Sequence, residues 1–249
     1  MSRPLTGALG AVALLAVGGL VSGCGASANA HSLRMNGPIT KTEAITYAQA
    51  VNLTPADMPG MVSVSREKES KPGRGDIEEA RCTGRPSPTQ AVVTITSPQL
   101  RSGSGLQLKG IKSGVAVRPS AALATRSLAA VQAAVHNARA RRCLLRLAAK
   151  GFAKGFAHGL DKGISFSLGR VAISPLPHSL SRSFAVRIVI PLSFARPGSV
   201  PFHTHVYVDA LGFVTGPAEI SLTATGFSSP VPTATEQRLL SLLYSRAKT

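Results

Sequence analysis

Residues 200–243, VPFHTHVYVDALGFVTGPAEISLTATGFSSPVPTATEQRLLSLL, carry the two patterns that decide the fold. Val200 to Asp209 and Phe213 to Thr225 are rich in β-branched and aromatic residues, which predicts an antiparallel pair turning at Ala210-Leu211-Gly212. In the first run, Phe202, Thr204, Val206 and Val208 form one row. His203, His205, Tyr207 and Asp209 form the other, because alternate side chains of a strand share a face. The first row is read as the buried side and the histidine row as the solvent side. Thr233-Ala234-Thr235-Glu236 then matches a capping box, in which Thr and Glu satisfy each other's amide donors. Leu239, Leu240, Leu242, Leu243 and Ala247 make the following helix a sheet-packing one.

Upstream, Ile164 to Ile173 and Phe184 to Leu192 read as further strands of a meander. Before them, Ser120 looks like an N-cap for one long helix over Ala121 to Lys150. Its apolar stripe is Leu123, Leu128, Val131, Val135, Cys143, Leu144 and Leu147. Arg126, Arg139, Arg141, Arg142, Arg146 and Lys150 lie mainly off that stripe, as a solvated face or as a contact for anionic lipid or polymer. Gly151 to Gly163 repeats Gly-Phe-Ala, placing Phe152 and Phe156 one helical turn apart as the lip of a candidate ligand cleft. Ala91 to Ser97 and Gln107 to Val117 are predicted strands, as is a short one near Met61 to Val64. Arg66 to Pro88 mixes charge, Gly and Pro and reads as a long exposed loop, which also accounts for its Arg74-Gly75-Asp76 tripeptide. A short helix runs from Thr42 to about Ala50, followed by turn residues Asn52 to Pro59 whose Asp57 can cap a local turn. The order is helix, strands, long helix, strand meander, helix.

The N-terminus adds location. Arg3 precedes the apolar run Ala8 to Leu20, and Val21-Ser22-Gly23-Cys24 resembles a bacterial lipobox. The expected organisation is a lipoprotein signal peptide over 1–23 and a lipidated N-terminus and flexible tether over 24–41. Residues 42–249 follow as a single domain. Cys24 would carry the lipid, holding the chain on the outer face of the cytoplasmic membrane by acyl chains. The run is too short and glycine-rich for a span of about 20 residues. That leaves Cys82 and Cys143, which in an oxidising compartment form a structural disulfide, or remain as two free thiols.

The 249 residues hold 28 Lys and Arg against 11 Asp and Glu, so the formal charge is +17. Basic residues are scattered and aromatics are 4%, which argues against nucleic acid. Outside the membrane the anionic partners are phospholipid headgroups, wall polymer or an acidic envelope protein. No G-x-S-x-G elbow, H-E-x-x-H or phosphate loop occurs, and Glu236 is assigned to its cap. The expected protein is therefore a non-enzymatic, monomeric binding module without cofactor. The alternatives are a lipid or glycolipid carrier with an apolar cavity, and a metal-dependent hydrolase using His203, His205 and Asp209.

AQAVNLTPADMPGM (48–61), the helix carrying Cys143, and VDALGFVTGPAEISLTATGFSSPVPTATEQRLLSLL (208–243) together carry a family resemblance. The chain resembles actinobacterial cell-envelope lipoproteins similar to the extracellular sensor domain of mycobacterial serine/threonine kinases of the PknH type. The resemblance implies an α+β domain with a curved antiparallel sheet, helices packed on it, a disulfide staple and a ligand cleft. One internal cysteine pair stands where that sensor domain is expected to have two, and no kinase segment is present, so only a ligand-binding module carries over.

Overall fold

In a computed structural model, residues 39–157, 165–177, 180–196 and 198–249 are described. The expected lipobox with Cys24, the expected signal segment, most of the expected tether and the Phe156 side chain lie outside them.

In chain order the elements are α1 (Lys41–Val51), β1 (Val62–Ser63), β2 (Lys68–Glu69), α2 (Arg74–Thr83), β3 (Val93–Thr96), β4 (Leu100–Ser102) and β5 (Lys109–Val117). There follow α3 (Ala121–His136), α4 (Ala138–Ala157), β6 (Ser165–Leu168), β7 (Ala172–Pro175), β8 (Ser183–Ala195), β9 (Phe202–Thr215), β10 (Ala218–Phe227) and α5 (Thr233–Lys248). The strands form one antiparallel sheet in the order β1-β4-β5-β10-β9-β8-β6, with β3 also on β5, β2 on β3 and β7 on β8. The fold class is α+β, as expected.

Helices cover both faces, and strand parity assigns them. Leu211 and Phe213 of β9 join Ile220, Leu222 and Val115 under α1 and α5, whose Ala44, Ala48, Val51, Leu239, Leu240 and Leu243 complete the main core. Val214, one residue on, points the other way and packs on Ala124 and Leu128 of α3. Val206, Ile190 and Leu192 form a third cluster on that same face, joined by Phe152 of α4. A buried polar network ties α1 to the sheet. Asn52 Nδ2 donates to the Ile95 carbonyl at 3.2 Å, and its Oδ1 accepts from Ser113 Oγ at 2.8 Å. Ser113 Oγ in turn takes the Leu53 amide at 2.9 Å.

Four local expectations are corrected. The long helix breaks at Asn137, whose extended backbone (φ −85°, ψ 118°) ends α3. Its Oδ1 then accepts the amides of Arg139 (2.9 Å) and Ala140 (3.0 Å), starting α4. One residue both stops a helix and caps the next, because a short side-chain carbonyl replaces the missing intrahelical acceptor.

The loop expected over 66–88 contains α2. Asp76 accepts the Gly73 amide at 2.7 Å, and Gly84 at φ +73° closes the helix in the left-handed region. Arg74, Gly75 and Asp76 are thus the first turn of a helix, not a loop tripeptide.

The hairpin does not turn at Ala210-Leu211-Gly212. Strand β9 continues to Thr215, which pairs with Ala218, leaving Gly216-Pro217 as the two-residue turn with Gly216 at φ +51°. Gly212 belongs to the strand because Phe184 crosses it. A Cβ there would sit 2.6 Å from the Phe184 ring and 2.7 Å from the Ile220 carbonyl oxygen. Finally, the strand expected over 164–173 is two short ones, β6 and β7, both paired to the long β8.

Candidate functional site

Glu236 is the residue whose place differs most from expectation. The capping reading needs Thr233 outside the helix, yet α5 begins at Thr233 with Pro232 as its cap. The Pro232 carbonyl accepts from Thr235 (2.9 Å) and Glu236 (3.2 Å). Glu236 therefore stands one and two turns before Leu239, Leu240 and Leu243, on the stripe that α5 presents to the sheet. It is 0% exposed.

Below it lies Asp209, 1% exposed. The register pairs Arg187 of β8 directly with Asp209 of β9, so the two side chains share the face under α5. Arg187 Nε and Nη2 donate to Asp209 Oδ1 and Oδ2, both at 2.7 Å, in a bidentate fork. The guanidinium carbon is 5.8 Å from the centroid of the Tyr207 ring. Asp209 also raises the Arg187 pKa by its hydrogen bonds and charge.

The Glu236 oxygens receive no hydrogen bond from any described donor. Burial first, then the neighbouring Asp209 carboxylate, push its carboxyl up to about 8; Arg187 opposes this only in part. At neutral pH the group is a protonated acid donating towards Asp209. Two buried carboxyl groups, Asp209 and Glu236, thus lie beside one arginine.

The sign of its pH dependence follows. Between about 4.5 and 8 the folded chain holds a proton that the unfolded chain has released, so this pair loses stability as pH rises through that window. Glu236→Gln keeps the donor and removes the titration. The variant should match the native protein below pH 5 and exceed it by roughly 1–3 kcal/mol at pH 8. Urea denaturation across pH 4–9 measures this, and parallel profiles for the two proteins would refute the assignment.

Past Asp209 the row emerges into solvent. His205 and His203 are exposed, as expected, but Asp209 of the same row is buried under α5 and Phe202 of the row expected to be buried is exposed; His203 Nδ1 lies 2.6 Å from Ser193 Oγ. The candidate trio His203, His205 and Asp209 is not one site, because the Asp209 oxygens are committed to Arg187 beneath α5. Among the described residues no group of three or more His, Cys, Asp and Glu is placed to hold a metal ion.

Phe152 does not form an open lip. It packs against Val206, Ile190 and Leu192 at the sheet, where a helix residue on the inner stripe is drawn by apolar burial. Where a carrier would need a cavity between sheet and long helix, Ala124, Leu128, Val214 and Phe184 pack together.

A groove of about 660 Å³ lies elsewhere, where α2 meets the α3–α4 elbow. Its walls include Arg81, Asn137, Arg139, Leu147 and the Cys82–Cys143 disulfide. That bond, with Cα atoms 5.6 Å apart, joins α2 to α4. Its residue pair was legible in the sequence. Nothing there indicated that Cys82 sits on a helix.

Of the buried acid cluster, Asp209 was singled out as a candidate ligand, while Arg187 and the role of Glu236 were missed. The available signal was Glu236 lying on the Leu239-Leu240-Leu243 stripe, where a helix face turns inward.

No family model matches the chain, and no curated protein matches it. Among solved structures it is similar to the extracellular domain of PknH from Mycobacterium tuberculosis, at 12% identity over 86% of this chain and 99% of that chain, with a TM-score of 0.34. That is a weak structural similarity, and it assigns neither family nor function.

Proposed function

We propose that the chain is a non-enzymatic, lipid-anchored module of the bacterial cell envelope, acylated at Cys24 on the outer face of the cytoplasmic membrane. The observation that carries this reading is the Cys82–Cys143 disulfide. A bridge between surface helices persists in an oxidising compartment. It also accounts for two of the three cysteines and leaves Cys24, which closes the lipobox at the end of the apolar leader. Among the described residues no helix is long and apolar enough to cross a membrane.

A binding role is favoured over catalysis by where the ionisable groups lie. Asp209 and Glu236, the two carboxyl groups of the cluster with the perturbed acid, are buried between α5 and the sheet, out of reach of a substrate. The surface groove between α2 and α4 is where a partner has access. The test of the anchor is expression of the full chain in an actinobacterial host, with intact mass of the membrane-extracted protein. The expected result is a mature chain starting at Cys24 with its mass raised by diacylglyceryl and acyl groups. Cys24→Ala should abolish that mass shift and move the protein out of the detergent phase. A Cys24 chain recovered without lipid from the aqueous phase overturns the reading.

A further inference from the structure

We propose that the outer face of α4 is a contact surface for anionic phospholipid headgroups, built on Arg139, Arg142 and Arg146. The proposal rests on the reading that Cys24 is lipidated, and it adds how the domain is oriented once tethered. Arg139, Arg142 and Arg146 follow at i, i+3 and i+7, inside an arc of about 60° at roughly 100° per residue. All three are exposed. The helix has no acidic residue of its own.

Elsewhere in the fold, arginines meet carboxylates. Arg85 and Arg118 share Glu219, Arg187 holds Asp209, Arg246 holds Asp57 and Arg74 holds Glu78. None of the ion pairs among the described residues uses the three stripe arginines. The acids of neighbouring α2 are engaged: Asp76 accepts the Gly73 amide, Glu79 pairs with Arg85, and Glu78 pairs with Arg74 while facing Lys150. Arg141 is set apart from the stripe, reaching the Ile173 carbonyl at 3.4 Å. What remains is a cationic strip that makes no ion pair among the described residues, beside a groove whose one acid, Glu78, is held by Arg74.

Two features favour a bilayer over a soluble polyanion. The strip runs beside the groove that holds Leu147 and Arg81, so cationic and apolar surface adjoin, as on helices that lie at a membrane interface. The chain from Cys24 to Ile39 can extend at most about 50 Å, which keeps α4 within reach of the surface to which the lipid is anchored. Among the described residues of α4 only Ala140 is buried, and the disulfide holds the helix in place from its flank.

The test uses the chain from Gly25, which contains every residue of the three core clusters and no lipidation site. It is sedimented with equimolar phosphatidylglycerol–phosphatidylcholine vesicles and with pure phosphatidylcholine at about 50 mM salt. Binding to the anionic vesicles alone, reversed by about 500 mM salt, is expected. R139Q/R142Q/R146Q should weaken it at least about thirtyfold, since each cation near an anionic surface contributes several-fold. R66Q/K68Q/K112Q/R196Q, which lowers net charge further but spares α4, should change it less than about threefold. Equal losses in the two variants, absence of vesicle binding, or binding to inorganic polyphosphate with the vesicles left unbound would each overturn the proposal. Because this chain carries no lipid, its failure leaves the Cys24 reading intact, and an unlipidated Cys24 leaves the vesicle result standing.

Discussion

Arg187→Met should be among the most damaging single substitutions in the sheet, lowering stability by roughly 3–5 kcal/mol at neutral pH. The reason is what it leaves behind. Asp209 loses both 2.7 Å hydrogen bonds from the guanidinium, and Glu236 opposite it has no other described donor to turn to. Two carboxyl groups would then face each other in a seam closed by Leu239 and Leu240, with no cation. Ionisation of either becomes costly, so the deficit should deepen as pH rises from 5 to 8 and shrink below 5. Arg187→Met/Asp209→Leu removes charge from both sides and should recover most of the loss, because replacing a buried ion pair by apolar side chains is often neutral. Urea denaturation of both variants against pH decides this. A single-variant loss under about 1 kcal/mol at pH 7 would mean that the pair does not support the sheet as the geometry indicates.

Loss of the Cys82–Cys143 bridge should cost on the order of 4 kcal/mol, from the entropy restored to an unfolded loop of 61 residues' separation. The damage should be uneven. Helix α2 keeps Ala80 against its neighbours, and Arg85, just past its end, reaches Glu219 of β10 at 2.9 Å. Helix α4 has less to hold it. In Cys82→Ser/Cys143→Ser, amide exchange should rise most in α4, next in α2, and least in β5, β9 and β10 beneath the main core. Reduction of the native protein should reproduce both the destabilisation and the exchange pattern. Uniform acceleration across the sheet would instead make the bridge a determinant of global folding only.

The strands and the helix over 239–247 were legible because their signals are local: alternation over Ala91 to Ser97, β-branched runs in β9 and β10, and a leucine stripe on α5. The α+β class was what the family resemblance implied, and the order of these elements agreed with it. The hairpin turn was misplaced for a local reason too. Gly212 and Gly216 are both turn-compatible by composition, and what excludes Gly212 is Phe184, whose ring needs the space where a Cβ would be. Phe184 is distant in sequence and becomes a neighbour only through pairing of β8 with β9. Asn137 is similar. An Asn inside a long helical pattern carries a modest propensity penalty, and whether it breaks the helix depends on what the two halves pack against. Here α3 lies on Val214 and α4 lies across towards Phe152's cluster and the disulfide.

The acid cluster marks the boundary most clearly. Sequence by itself determined that Asp209 lies on a strand row with the histidines, that Glu236 lies in the first turns of a helix, and that Cys82 and Cys143 are a candidate disulfide pair. Tertiary structure alone decided that β8 and β9 align with Arg187 opposite Asp209, and that α5 lies down with Glu236 above them. The physical reason is range. Periodicity and capping act within a turn or a strand and can be read from adjacent residues. The ionisation of Glu236 depends on burial and on a carboxylate 27 positions away, neither of which exists until the helix has docked.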